Sequence, residues 1–222
     1  MLIALHKPFE TLSSFTHETQ SPGDVGKRTL SAFGLPRGVY AAGRLDFDSE
    51  GLLLLSDDGT LIHRLTDPAH KLPKTYWAQV EGVPGEPALA ALRRGLPIKD
   101  YVTRPCQARA LEADPGLAPR SKPITPHGPT AWLELVLREG RKRQVRHMTA
   151  AVGLPTLRLL RVGIGALRLG ELAPGQWREI TPAEVFGGMG QSARDDDDQT
   201  PRPDRSARPP ARARRHAQGR FR

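Results

Sequence analysis

Hydrophobic positions recur along this chain with two periods, and the segments where each period dominates predict its elements. Leu52 to Leu55 is an unbroken apolar run between Gly51 and Ser56-Asp57-Asp58-Gly59. It is too short to cross a membrane and too apolar for a solvent loop, so it reads as a central strand covered on both faces. Val39 to Ala42 is a shorter strand leading into a loop at Gly43. Thr75 to Glu81 reads as a half-buried strand, and Trp132 to Leu137 puts Leu133, Leu135 and Leu137 on one face. Helical spacing is rarer. Thr60 to Thr66 follows the Asp57-Asp58-Gly59 turn and stops at Asp67-Pro68, and Pro87 to Arg94 ends at Gly95. A third helix, Arg143 to Val152, carries Val145, Met148 and Val152 on one side and stops before Gly153-Leu154-Pro155. Gln107 to Pro129, rich in proline, glycine and alanine, reads as a long surface loop. Strands in runs, with helices between them and no regular alternation, predict an α+β fold on a largely antiparallel mixed sheet flanked by helices and loops.

The pattern stops after Phe186, where glycines lead into Asp195 to Asp198 and then a stretch of arginine, proline, alanine and serine. Residues 188–222 hold too few large apolar groups to offset the entropy of ordering, so a folded body over 1–187 and a disordered basic tail over 188–222 are expected. The chain of 222 residues is 38% hydrophobic, enough for one good-sized core or two small ones. Its net charge is +9, of which the tail, with nine arginines against five acids, supplies a share and the body keeps the rest. Such an excess favours a polyanion as partner. Cys106 is the single cysteine, so one chain can build neither a disulfide nor a paired-thiol metal site, which fits a reducing cytoplasm. Met1 to Leu5 is apolar but ends at His6-Lys7-Pro8 without a small-residue cleavage site, and no later segment reaches membrane-spanning length. A cytoplasmic protein without a membrane partner is expected.

Three segments carry candidate chemistry. Gly43-Arg44-Leu45-Asp46, followed by Ser49-Glu50-Gly51, places an arginine and a carboxylate at the mouth of the buried strand. Asp46 there is either a turn residue or a carboxylate held ionised beside arginines for nucleophilic or general-base work. Lys74 to Gly82 contains Tyr76 in a strand. Glu139-Gly140-Arg141-Lys142-Arg143-Gln144-Val145-Arg146-His147 is a basic turn opening a helix, suited to phosphate oxygens or simply a solvated face. At helical spacing Arg143 and Arg146 flank Val145, so that one can turn toward the core while the other faces a nucleic acid. Seven histidines lie without ligand spacing, and no glycine-rich phosphate loop or dinucleotide fingerprint is present, so neither metal nor nucleotide cofactor is expected.

In order, Gly43-Arg44-Leu45-Asp46 with Ser49-Glu50-Gly51-Leu52-Leu53-Leu54-Leu55, Lys74-Thr75-Tyr76 before Val80-Glu81-Gly82, and Glu139 to Arg146 resemble the motifs of the small-subunit-type branch of bacterial RNA pseudouridine synthases. The resemblance runs over residues 2–182. It implies the pseudouridine synthase fold, without the small N-terminal S4 RNA-binding domain of many relatives, and isomerisation of one uridine in RNA, most simply at the peptidyl-transferase region of large-subunit (23S) rRNA. It implies that Asp46 is the essential nucleophile or base, that Arg146 is its ion-pair partner, and that Tyr76 offers uracil a stacking face and a hydroxyl near C5. Arg44 is implied to fill the stack vacated by the extruded uridine, the other reading being a surface pair with Asp48 or Glu50. Arg141, Lys142 and Arg143 are implied to hold the RNA backbone. A monomer acting on RNA and not DNA is expected. Phe47, Ser49, Ser56 and His147 depart from the residues usual in the family; Phe47 and His147 bear on RNA contacts. Two other readings remain open: a non-catalytic ribosome-assembly protein, and a metal-dependent nuclease using Asp46, Asp48, Glu50, Asp57 and Asp58.

Overall fold

The structure, a computed structural model, describes residues 1–17, 23, 26–67 and 72–187. Pro68 and the tail expected over 188–222 lie outside these residues. In chain order the elements are β1 (Leu2–Lys7), a 3-10 turn (Leu30–Phe33), β2 (Tyr40–Ala41), β3 (Glu50–Ser56), α1 (Gly59–Thr66) and β4 (Lys74–Glu81), then α2 (Glu86–Arg94), β5 (Pro97–Ile98), β6 (Tyr101–Val102) and β7 (Gln107–Ala110). After these come β8 (Thr130–Leu137), α3 (Gln144–Ala151), β9 (Thr156–Ile164), β10 (Leu167–Arg168), β11 (Trp177–Glu179) and α4 (Pro182–Phe186). The main sheet runs β11-β1-β3-β9-β4-β8-β7, with β2 on β3 and β10 on β9. Within it β3 and β9 are parallel, and every other pairing is antiparallel. The mixed, mostly antiparallel α+β fold is the one the hydrophobic pattern predicts.

The sheet is covered on both sides, which is why β1 and β3 are buried at every position and contain the unbroken apolar stretches Leu2 to Leu5 and Leu52 to Leu55. On one face Leu52, Leu54, Leu160 and Val162 pack with Leu65 of α1 and Val185 of α4. The other face carries two clusters. Ile3, Leu5, Leu53 and Leu55 pack with Leu30, Val39 and Leu45, while Ala78, Val80, Leu133, Leu135 and Leu159 pack under Leu89 and Leu92 of α2 and Val145 and Met148 of α3. The two meet along the sheet where Gly51 lies opposite Arg161 and Arg161 lies opposite Tyr76. Gly51 has φ +104°, and a Cβ there would stand 2.3 Å from the Arg161 carbonyl oxygen, so only glycine lets β9 approach this closely. The β4 register on β9 shifts between Thr75 and Tyr76, a bulge beside the junction.

Several expectations need correction. Gln107–Ala110 is not loop but an edge strand, with Ala108 buried beneath α2; its alternating glutamine, alanine and arginine give a weak apolar signal, and the ladder with β8 makes the strand. Residues 111–129 do form an irregular excursion, tied down by Trp132 Nε1 donating to Asp114 (3.2 Å) and by His127 N donating to Glu81 (2.7 Å). The third helix begins at Gln144. Arg143 is its N-cap, in the left-handed conformation at φ 55°.

Candidate active site

The loop from Gly43 to Ser49 is anchored by its one large aliphatic residue. Leu45 is buried against Val39 and Leu53, its N–H donates to Ser13 Oγ (3.0 Å), and its carbonyl accepts from the same hydroxyl (2.9 Å). Fixing Leu45 inward turns its neighbours outward, leaving Arg44 exposed and Asp46 half-buried at the mouth of a cavity. Ser49 N donates to the Asp46 carbonyl (3.0 Å) and closes the turn into β3.

The basic loop opposite is built with similar economy. Gln144, buried at the start of α3, accepts from Arg141 N (3.0 Å) and donates to Glu139, which also accepts from Arg104 N (2.9 Å). The Arg141 guanidinium lies 4.0 Å over the Tyr101 ring of β6. These contacts leave Arg141 and Lys142 exposed on the rim.

The arginine of α3 does not reach the partner expected for it. Arg146 pairs with Asp48, not Asp46: its Nη2 lies 3.3 Å from the Asp48 carboxylate and donates to the Asp48 carbonyl (2.9 Å), while Nη1 donates to Thr156 O (3.1 Å). Arg143 grips the same carboxylate through both amino groups, at 2.8 and 2.9 Å. Burial raises the Asp48 pKa, but the Arg143 hydrogen bonds and the charges of Arg146 and Arg143 outweigh it and hold the group below its ordinary value. Both arginines therefore turn toward the same loop, and Arg146 buttresses the turn that carries Asp46. The two carboxylates considered as surface partners of Arg44 both engage other arginines. Asp48 is engaged as above, and Glu50 is buried in a two-pronged pair with Arg158 (2.8 Å at each contact).

Loop, basic turn and sheet junction enclose one cavity of about 1080 Å³. Asp46, Arg44, Tyr76, Arg141, Lys142 and Arg143 all line it; Arg146 lies behind the loop. Eight basic side chains and three acidic ones face this space, the balance expected where a phosphodiester enters. Tyr76 forms part of the floor and also packs on the α2–α3 core, so its two readings are compatible. Sequence reasoning assigned no role to Arg104, Arg138 or Arg161, nor to Lys74 although it stands in the quoted motif; all four line the cavity. A charge inside an otherwise apolar strand, as at Arg161, was the available signal. The carboxylates a metal-dependent nuclease needs are otherwise committed. Asp48 and Glu50 hold arginines, Asp57 binds the N-terminal ammonium (2.6 Å), and Asp58 caps α1.

A family model described as RNA pseudouridylate synthase matches residues 1–151. The chain belongs to the RNA pseudouridylate synthase family. This synthase is 59% identical over 180 residues to ribosomal large subunit pseudouridine synthase E of Xanthomonas campestris pv. campestris, covering 80% of the chain and 94% of the relative. It is 49% identical over 182 residues to the protein of the same name from Vibrio vulnificus, covering 81% and 75%. Among solved structures, the crystal structure of a pseudouridylate synthase superposes with a TM-score of 0.67 at 28% identity, over 83% of this chain and 71% of that one. The synthase is thus an isomerase that turns uridine in RNA into pseudouridine. Among its described residues no helix is long and apolar enough to cross a membrane.

Proposed function

We propose that this synthase converts one uridine of large-subunit rRNA into pseudouridine in the cavity between the Gly43–Ser49 loop and the basic loop, with Asp46 as the essential carboxylate. The observation that carries this reading is the convergence of Asp46, Tyr76, Arg44 and the Arg141–Arg143 turn on that single cationic space. The names of the Xanthomonas and Vibrio relatives support the RNA class.

In the reaction the N1–C1′ bond breaks, the uracil turns, and C5 bonds to C1′; C5 loses its proton and N1 takes one up. Asp46 serves as nucleophile at C1′ or as base at C2′, and either role requires an ionised carboxylate with room for the sugar beside it. Tyr76 supports the uracil face and brings a hydroxyl toward C5. A stacked uridine must first leave its helix at a cost of roughly a few kcal/mol, and Arg44, projecting from the loop beside Asp46, fills the gap. Arg141 and Lys142 hold the flanking phosphates, and Arg143, its guanidinium engaged by Asp48, adds its charge to the same rim. Arg146 acts through the Asp48 turn, keeping Asp46 at the cavity mouth. The synthase works as a cytoplasmic monomer on RNA and not DNA.

The test is incubation with unmodified large-subunit rRNA in the presence of a chelator, followed by pseudouridine mapping at nucleotide resolution beside Asp46→Asn. One modified site, absent with Asp46→Asn while RNA binding persists, is the expected result. Pseudouridine made equally by Asp46→Asn would remove Asp46 from the chemistry, and no product on naked rRNA or assembling particles would point to another RNA.

A further inference from the structure

Two cations on the cavity floor have no task in the scheme above. Arg161 is only 4% exposed, yet its side chain lines the cavity. It stands directly across the β4–β9 ladder from Tyr76. Its Nε donates to Leu52 O (2.8 Å) and its Nη1 to Arg44 O (3.5 Å), so its hydrogen bonds go to main-chain carbonyls. Lys74, two positions before Tyr76 on β4, lines the same cavity half-buried, its Nζ donating to Leu72 O (3.2 Å). Burial first, and the charge of Arg161 second, lower the Lys74 pKa, which places the two cations near enough to repel.

Among the described residues the other buried arginine, Arg158, is neutralised by Glu50, and the partly buried Arg146 is paired with Asp48. Among the described residues neither Arg161 nor Lys74 has an ion pair. Two cations gathered in a partly desolvated floor oppose folding unless an anion that enters the cavity makes use of them. The RNA phosphates do not fit that place well. They travel with the sugar and meet the rim, where Arg141 and Lys142 are already exposed.

The isomerisation itself creates an anion at the floor. When N1–C1′ breaks, the bonding pair stays with the uracil, and its charge spreads from N1 onto O2 and O4. A uracil ring resting on Tyr76 would have Arg161, the residue across the ladder, at its edge. We propose that Arg161, assisted by Lys74, forms the site that holds the anionic carbonyl edge of the detached uracil while it turns. The site retains the free base and lowers the barrier to its departure whether Asp46 acts as nucleophile or as base. This inference rests on the assignment of the Asp46 cavity as the place of reaction.

The test compares single-turnover rates at saturating RNA for the unmodified enzyme, Arg161→Gln, Arg161→Lys, Lys74→Gln and Asp46→Asn. Each is run on a target RNA carrying uridine or 5-fluorouridine, with loss of the N1-linked target nucleoside as readout. Fluorine withdraws electrons and stabilises the departed base by itself, so it should relieve a defect in anion stabilisation and no other defect. Arg161→Gln should slow uridine turnover on the order of 100-fold, with unchanged RNA affinity, by analogy with removal of one oxyanion donor. Lys74→Gln should lose less, Arg161→Lys should recover part of the rate, and both deficits should shrink on the fluorinated RNA. Equal deficits on the two RNAs would overturn the proposal in favour of a structural role. Weakened RNA affinity with a normal saturated rate would overturn it in favour of a phosphate contact. If Arg161→Gln does not fold, Lys74→Gln decides between the same outcomes. An active Asp46→Asn would instead move the reaction out of this cavity and sink both readings together, whereas an inactive one beside a fully active Arg161→Gln sinks the anion site alone.

Discussion

Lys7 illustrates how one residue sets a property of the whole chain. Its side chain is fully buried, and its ammonium donates to the carbonyls of Pro8 (3.0 Å) and Thr11 (2.7 Å). Burial pushes its pKa down from 10.5 to about 7 despite the nearby charges of Glu50 and Asp48. Between those values the unfolded chain holds a proton that the folded one has released, so stability rises with pH at about 1.4 kcal/mol per unit. Cys106 acts in the opposite sense, since burial pushes its thiol from 9.0 up to about 11 and the unfolded chain then loses its proton first. Urea unfolding should therefore show midpoints climbing from about pH 7 to pH 9 and levelling above it. Lys7→Met should remove the climb; an identical slope in that variant would clear Lys7 of the effect. At this scale the sequence made Asp46 and Tyr76 legible through their motifs, but not the partner of Arg146. Asp46 and Asp48 are both within sequence reach of that arginine, and only the Leu45 anchor and the Ser49 turn decide which carboxylate faces α3.

Elements with a strong local signal were legible. The Leu52–Leu55 run became the core of β3, and Asp58 caps α1 by accepting from Thr60 N and Leu61 N. Elements that owe their form to a neighbour were not. In β9 the charges at Arg158 and Arg161 interrupt the apolar pattern, and both make sense only once Glu50 and the cavity stand beside them. The short edge strands β7 and β11 exist through their pairing with β8 and β1. Gly51 was legible only as punctuation, whereas in the fold it is the point of contact between β3 and β9. Gly51→Ala should cost roughly 3 kcal/mol or more, from the left-handed backbone and the forced separation from Arg161. A thermal melt checks the loss. A drop below about 1 kcal/mol would mean that the strands slide apart without strain.

For the molecule as a whole, the cavity joins segments far apart in the chain: the loop before β3, the start of β4, the turn before α3 and the middle of β9. Residues of all three hydrophobic clusters border it, Leu54 and Leu65 from one, Leu45 from the second and Val145 and Leu159 from the third. The cationic lining makes RNA binding depend on salt. Arg141→Ala and Lys142→Ala should each lower the slope of log affinity against log salt by roughly 0.7 to 0.9 unit, while Lys74→Gln should leave it nearly unchanged. Filter-binding titrations at several salt concentrations decide this, and unchanged slopes for the rim variants would remove those residues from the phosphate path.

The sequence by itself determined the α+β class, the central apolar strand, the basic character and the motifs that identify the family, because each is encoded over a few consecutive residues by periodicity, charge or spacing. The tertiary structure decided which carboxylate each arginine meets, that Gly51 must be glycine, and that Arg161 and Lys74 share a floor with Tyr76. Those facts depend on strand order and register, which join residues about a hundred positions apart, as in Arg158–Glu50 and Arg161–Leu52. No local pattern records such a pairing, since it follows from how buried faces pack once the whole sheet has formed.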